Sequence, residues 1–284
     1  MTGVWGTPMR EREEDVDAGG ATLHTREWEP DGDTKAVVAL VHGLGEHSGR
    51  YGPVAARLTG AGFAVLAFDL RGHGRSSGRR GDTRFADTMA DIDRLVRAAG
   101  DRFPDRPVFL YGHSLGGLLV LTYTLERRPA IAGVVATGAA LHNALREQKA
   151  KLLAVRRLAP LLPHLALPSG LDATLVSRDP DVVAAYRADP LVHDRVTLGF
   201  GLDAVRASDA ALAGAARFPV PLLLLHGGAD RLTYPSGSQA FAGALNSRDC
   251  TLTVYEGLFH EIHNEPERGR VLDDVVAWLD RHLA

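Results

Sequence analysis

The sequence predicts an α/β fold: a mostly parallel central sheet flanked by helices, with a helical cap inserted into it. Three observations carry the prediction. Short apolar runs of strand length alternate with helix-period patterns over most of the chain. Glycine and proline bound those runs, as they do in βα units. The alternation stops between about Leu141 and Ala213, then resumes.

Taken in order, Glu14–Val16 and Ala21–Trp28 alternate polar and apolar residues around Gly19-Gly20, the pattern of an antiparallel hairpin on a sheet edge. Buried-type strands are expected at Val37–Val41, Phe63–Phe68, Val108–Tyr111, Ile131–Ala136, Leu222–Leu225 and Thr251–Tyr255. Helices are expected at Pro53–Ala61, Phe85–Asp101, Leu115–Arg127, Ser236–Leu245 and Arg268–Leu283. The segment 141–213 is helical in pattern, holds no strand-like run, and is punctuated by Pro160, Pro163, Pro168, Pro180 and Pro190. It is expected to be a cap or lid over the strand ends, on a core formed by 1–140 and 214–284. Within it, Lys149–Leu167 reads as a packed cap helix or as a lid that touches membrane or micelle surfaces through its leucines.

Composition narrows the function. Of the 284 residues 45% are hydrophobic and 24% charged, so a sizeable core needs no disulfide or metal staple. The formal net charge of -3 lacks the basic excess that a nucleic-acid binder uses to neutralise phosphates. The single cysteine, Cys250, excludes an internal disulfide and fits a reducing compartment. The N-terminal stretch is not of signal-peptide type, and no apolar run reaches the roughly 18 residues of a membrane span. A soluble, cytoplasmic protein is expected, with no nucleic-acid partner.

The chemistry concentrates in Gly112-His113-Ser114-Leu115-Gly116, which fits G-x-S-x-G between an expected strand and an expected helix. Small flanking residues let strand and helix approach, so the Ser114 Oγ projects above the sheet. The helix N-terminus offers the free Leu115 N–H to a developing oxyanion. A serine hydroxyl needs a base, and the base an orienting carboxylate. With the order Ser, Asp or Glu, His that goes with this turn, Asp230 and His260 follow, each just past an expected strand. Asp69 competes for the acid and His263 for the base. His42, His73, His113 and His226 are expected to brace glycine-rich turns. The loop His42-Gly43-Leu44-Gly45-Glu46-His47 supplies the second oxyanion donor, the Leu44 N–H. Together these features predict an α/β-hydrolase fold.

HGLGEHSGRY (His42–Tyr51), FDLRGHGRS (Phe68–Ser76), GHSLGG (Gly112–Gly117), HGGADRL (His226–Leu232) and GLFHEIHNEP (Gly257–Pro266) closely resemble the monoacylglycerol lipase family of the α/β-hydrolase superfamily. The match runs along nearly the whole chain. Arg178–His193 in the cap looks most like bacterial members. HGxGEHxxRY is far more specific than G-x-S-x-G. A departure is Leu115, where many members have methionine and only the backbone matters to the oxyanion. The resemblance implies cleavage of monoacylglycerols to glycerol and a free fatty acid, with no metal or organic cofactor and with Ser114, Asp230 and His260 as the triad. It also aligns Glu46, Arg50 and His263 with polar residues around the family's glycerol-binding end, although a Glu–Arg pair bracing the loop explains the first two equally well.

The rival readings are a lysophospholipase or general carboxylesterase with the same triad, a peptidase or cofactor-free perhydrolase on the same scaffold, and a non-catalytic binding protein. The last commonly lacks a triad member, and here all three residues are present in order.

Overall fold

The computed structural model of the chain describes residues 9–246 and 249–283. Residues 1–8, which open the N-terminal stretch read above for a leader, lie outside the described residues.

Two antiparallel strands, β1 (Met9–Asp17) and β2 (Thr22–Pro30), open the chain. They are followed by β3 (Ala36–Val41), α1 (Gly52–Gly60), β4 (Phe63–Phe68), α2 (Phe85–Arg102), β5 (Val108–His113), α3 (Leu115–Arg127) and β6 (Gly133–Thr137). After the intervening segment come β9 (Leu222–Gly227), α8 (Pro235–Gly243), β10 (Cys250–Tyr255) and α9 (Arg268–Arg281). That segment holds α4 (Ala144–Glu147), α5 (Lys149–Leu158), β7 (Ala166–Pro168), α6 (Pro180–Ala188), β8 (Arg195–Thr197) and α7 (Leu198–Gly214). The main sheet runs β1-β2-β4-β3-β5-β6-β9-β10. β2 meets β4 antiparallel, and every pair from β4 through β10 is parallel.

The central strands β3, β4, β5 and β9 are buried at every residue, which is why they read as unbroken apolar runs: helices cover both faces of a parallel sheet. Alternate residues of β3 divide between two cores. Val37, Ala39 and Val41 face α2 and α3, while Val38 and Leu40 face α1 and α9. α2 earns its place with Met89, Ile92, Leu95 and Ala99 at helical spacing on its buried side. The register pairs Val41 with Gly112, Gly112 with Ala136 and Thr137 with Leu225, so the carboxyl ends of β3, β5, β6 and β9 reach the same rim. Sites on such sheets collect there.

The segment between β6 and β9 differs from the sequence expectation in two ways. First, it does contain strands: β7 and β8 form a separate antiparallel pair of three residues each. Strands that short have no periodicity to read. Second, Lys149–Leu167 is not one packed helix. α5 stops at Leu158 ahead of Pro160 and Pro163, and none of its residues is buried. Val155 and Ala159 meet Leu198 and Leu202 of α7. Leu153, Leu158, Leu161, Leu162, Leu165 and Leu167 stay exposed, Leu161 at 76%. α7 itself lies along α3, and its Phe200, Ala207 and Ala211 belong to the main core. Among the described residues, no helix is long and apolar enough to cross a membrane.

Candidate active site

Ser114 sits on the step between β5 and α3 with φ 55° and ψ −117°, a backbone conformation costing of order 1–3 kcal/mol for a residue with a side chain. Two glycines make the step possible. A Cβ on Gly112 would stand 2.3 Å from the Gly116 carbonyl oxygen, and one on Gly116 would stand 2.1 Å from the Val41 carbonyl oxygen. The turn is held by the Ser114 N–H donating to the Thr137 carbonyl at 2.9 Å.

His260 and Asp230 lie beside it, past β10 and β9. His260 Nε2 is 2.8 Å from Ser114 Oγ, and Nδ1 is 2.7 Å from Asp230 Oδ2. A carboxylate only accepts, so Nδ1 carries the proton and Nε2 is left to accept from the serine hydroxyl. Asp230 Oδ1 accepts from the Leu232 and Thr233 N–H groups at 2.8 and 3.0 Å. Thr233 Oγ1 stands 2.8 Å from Asp230 Oδ2 and 2.9 Å from the Gly138 carbonyl, and its single proton serves one of them. Burial alone would lower the His260 pKa, but the Asp230 carboxylate overrides it and the net shift is upward. Burial alone would raise Asp230; His260 and His226 reverse that and hold it well below the carboxylate range. The arrangement can take a proton from an attacking alcohol and stabilise the resulting imidazolium.

Leu44 and Leu115 line the same cavity as Ser114 and His260. Among the described residues neither amide N–H has a protein acceptor. The loop that carries Leu44 is pinned on both sides. Gly43 N–H donates to Glu46 Oε1 at 2.7 Å, and His42 Nδ1 donates to the Gly43 carbonyl at 2.7 Å while its Nε2 accepts from Leu70 N–H at 2.9 Å.

The three residues aligned with the glycerol end lie elsewhere: none of Glu46, Arg50 and His263 lines that cavity. Glu46 is 3% exposed, and its oxygens accept from Gly43 N–H, the Tyr51 hydroxyl and Arg50. Burial would raise it, but the Arg50 guanidinium holds it far below the carboxylate range. Arg50 spans Glu46 at 2.6 Å and both oxygens of Glu261 at 2.7 Å, under the ring of Tyr186 from α6. His263 is buried between the rings of Tyr51 and His113, and its Nδ1 has no hydrogen-bond partner. Asp69, the rival acid, accepts from Ser48 N–H, the Ser48 hydroxyl and Arg75 N–H and braces two turns.

Sequence reading missed Thr233 and Glu261. Thr233 was within reach, because an Asp followed three residues later by Thr is an Asx-type turn signal. Glu261 gains its role only through Arg50, 211 positions away.

The cavity holds about 210 Å³. Leu118 together with Phe200 and Val205 of α7 gives it an apolar wall, and Leu145, Lys151 and Leu171 contribute from the rest of the segment between β6 and β9. Among the described residues, no group of three or more His, Cys, Asp or Glu is arranged to hold a metal ion.

The family model described as "Serine aminopeptidase, S33" matches residues 32–267. The monoacylglycerol lipase of Mycolicibacterium smegmatis is 41% identical over 268 residues, covering 93% of this chain and 95% of the relative. The mouse monoglyceride lipase is 35% identical over 274 residues, covering 95% and 90%. The crystal structure of Paleococcus ferrophilus monoacylglycerol lipase superposes with a TM-score of 0.85 at 40% identity, covering 92% of this chain and 99% of that one. With the fold, the sequence and the rim of the sheet all in agreement, this chain belongs to the monoacylglycerol lipase family of the α/β-hydrolase superfamily.

Proposed function

We propose that this chain is a carboxylic ester hydrolase that cleaves monoacylglycerols to glycerol and a free fatty acid. One observation carries the mechanism: the unbroken relay from Ser114 Oγ through His260 to Asp230 at the wall of a mainly apolar cavity. His260 takes the Ser114 proton as Oγ attacks the ester carbonyl. The N–H groups of Leu44 and Leu115 receive the oxyanion, each worth about 3–4 kcal/mol in the transition state. Glycerol leaves with the proton from His260, and water then cleaves the acyl-enzyme by the same route in reverse. In this reading residues 141–213 are the cap that roofs the acyl chain, on a core of 1–140 and 214–284. Glu46 and Arg50 act as braces rather than glycerol ligands. The names of the mycobacterial and mouse relatives support the substrate.

The test is a hydrolysis panel of monoacylglycerols, lysophosphatidylcholine, and di- and triacylglycerols, with fluorophosphonate labelling. Monoacylglycerols are expected to lead, triacylglycerols to be at least about tenfold slower, and Ser114→Ala to lose both turnover and label. A clear preference for the lysophospholipid, or labelling that survives Ser114→Ala, would overturn the assignment.

A cytoplasmic enzyme must collect its lipid from a surface, and the exposed leucines at 153–167 beside Lys149, Lys151, Arg156 and Arg157 have the chemistry of an interfacial patch. Peripheral contact with a membrane or micelle through this face is part of the proposal. Partitioning onto liposomes should fall when Leu161 and Leu162 become serine. Unchanged partitioning removes this part alone.

A further inference from the structure

The Asp230 carboxylate faces a second imidazole. His226, in β9, has its side chain fully buried, as has Asp230. Its Nε2 lies 2.9 Å from the Thr233 carbonyl and 3.2 Å from Asp230 Oδ2, while its Nδ1 lies 2.8 Å from Ser238 Oγ in α8. A carbonyl oxygen only accepts, so Nε2 bears a proton whatever the charge on the ring. That N–H makes its hydrogen bond to the Thr233 carbonyl, and the Asp230 oxygen that takes the His260 Nδ1–H stands 3.2 Å from the same nitrogen as a close electrostatic neighbour.

We propose that His226 is a positioning residue for the hydrolytic relay: its Nε2–H, held at the Thr233 carbonyl, bears on the Asp230 oxygen that serves His260, and the Ser238 hydroxyl fixes the ring that does so. The argument is geometric. Asp230 Oδ1 is committed to the Leu232 and Thr233 N–H groups, so orientation of the carboxylate toward His260 depends on what surrounds Oδ2. Around Oδ2 stand His260 at 2.7 Å, the Thr233 hydroxyl at 2.8 Å and His226 at 3.2 Å. The positive end of an N–H this close to the oxygen offsets part of its negative charge on the His260 side. It thereby limits how strongly Asp230 holds the imidazolium, and keeps the base free near neutral pH. Ser238 adds to this: when its O–H donates to Nδ1, the opposite N–H becomes a better donor.

The other titratable groups facing His260 come from different elements. His113 of β5 lies 4.7 Å away ring to ring, and the charges of Glu261 and Glu46 also favour the imidazolium. Around His226 the facing charged group is Asp230. Among the described residues, none of His113, Glu261 and Glu46 hydrogen-bonds Asp230, so the effect of His226 on that carboxylate is separable from theirs.

The inference rests on the triad reading and is tested by kcat/KM against pH on a short p-nitrophenyl ester. The set is the wild type, His226→Leu, His226→Gln and Ser238→Ala, together with the low-field proton resonance of His260 Nδ1–H. The acid limb of the wild type should have its midpoint above 6.5. Loss of the donor in His226→Leu should move it up by about 0.5–1 pH unit and shift the low-field resonance. His226→Gln, whose side-chain amide can restore an N–H at the Nε2 position, should return both toward the wild type. Ser238→Ala should move the limb in the same direction by less, and it decides the question if His226→Leu does not fold. An active His226→Leu or Ser238→Ala enzyme with an unmoved acid limb overturns the inference, as does a Gln variant that behaves like Leu. Failure of the triad reading itself looks different: turnover would then survive Ser114→Ala in the otherwise unchanged protein.

Discussion

The Arg50 guanidinium holds both carboxylate oxygens of Glu261 at 2.7 Å, joining the residue next to His260 to the loop that presents Leu44. Through its 2.6 Å contact with Glu46 it also fixes the acceptor of the Gly43 N–H. Removing it leaves two buried carboxylates facing each other. Arg50→Met should therefore cost about 3–5 kcal/mol in a urea titration. Arg50→Lys keeps the charge but loses the fork, and should fall between the two proteins.

Gly116→Ala tests the step that carries the serine. The added methyl meets the backbone oxygen of Val41 rather than a movable side chain, so strand and helix must separate. The expected cost is about 3 kcal/mol in stability, with turnover reduced more than a hundredfold. Thermal melts and ester hydrolysis read the two effects. An active, stable Ala variant would contradict the close approach.

Acid should weaken the fold through its buried neutral imidazoles. Burial pushes His263 down to about 4 and His113 well below its ordinary value. Between about pH 6.5 and pH 4 the unfolded chain takes up protons that the folded His263 refuses, so stability falls as pH falls through that window. His260 works in the opposite sense: its raised value adds stability that is present in full below about 6.5 and is lost as pH rises through the folded value. Unfolding free energies for the parent and His263→Phe should diverge in slope by up to about 1.4 kcal/mol per pH unit within the acid window. Parallel curves would assign the acid sensitivity elsewhere.

Chain-length preference should follow the cavity wall. Each methylene buried is worth about 0.8 kcal/mol, or roughly fourfold in kcat/KM, until the space is full. Phe200→Ala opens the wall and should move the plateau to longer acyl chains, whereas Leu118→Phe should move it to shorter ones. A graded monoacylglycerol series reads the plateau directly.

Much of this architecture is written locally. β3, β4, β5 and β9 are covered on both faces, so their burial demands continuous apolar runs that periodicity detects. The hairpin is visible because Gly19-Gly20 separates two stretches that alternate polar and apolar residues in sequence, though both strands extend beyond those stretches and β1 is exposed along most of its length. β7 and β8 escape notice since three-residue strands leave no pattern, and α5 is cut short by prolines within a stretch whose leucines suggest a longer helix. At the site, Ser114, Asp230 and His260 are legible because each follows a strand end, and strand ends in a parallel sheet share a rim. Glu46 and Arg50 are legible as a pair but not as to partner, because their destination, Glu261, is a matter of tertiary distance. The same holds for His226 and Ser238, whose shared duty depends on how α8 packs behind β9.

Ser114 and His260 stand 146 residues apart in the chain, each just past a strand, with the whole segment between β6 and β9 lying between them in sequence. During synthesis, which runs from the N-terminus, β5 and α3 leave the ribosome long before β9, β10 and the loop that follows them. A nascent polypeptide that ends before β9 therefore carries Ser114 without Asp230 and His260, the side chains that are linked to its hydroxyl in the folded chain. Of the three side chains the imidazole is synthesised last, so the relay closes only after β10 has emerged.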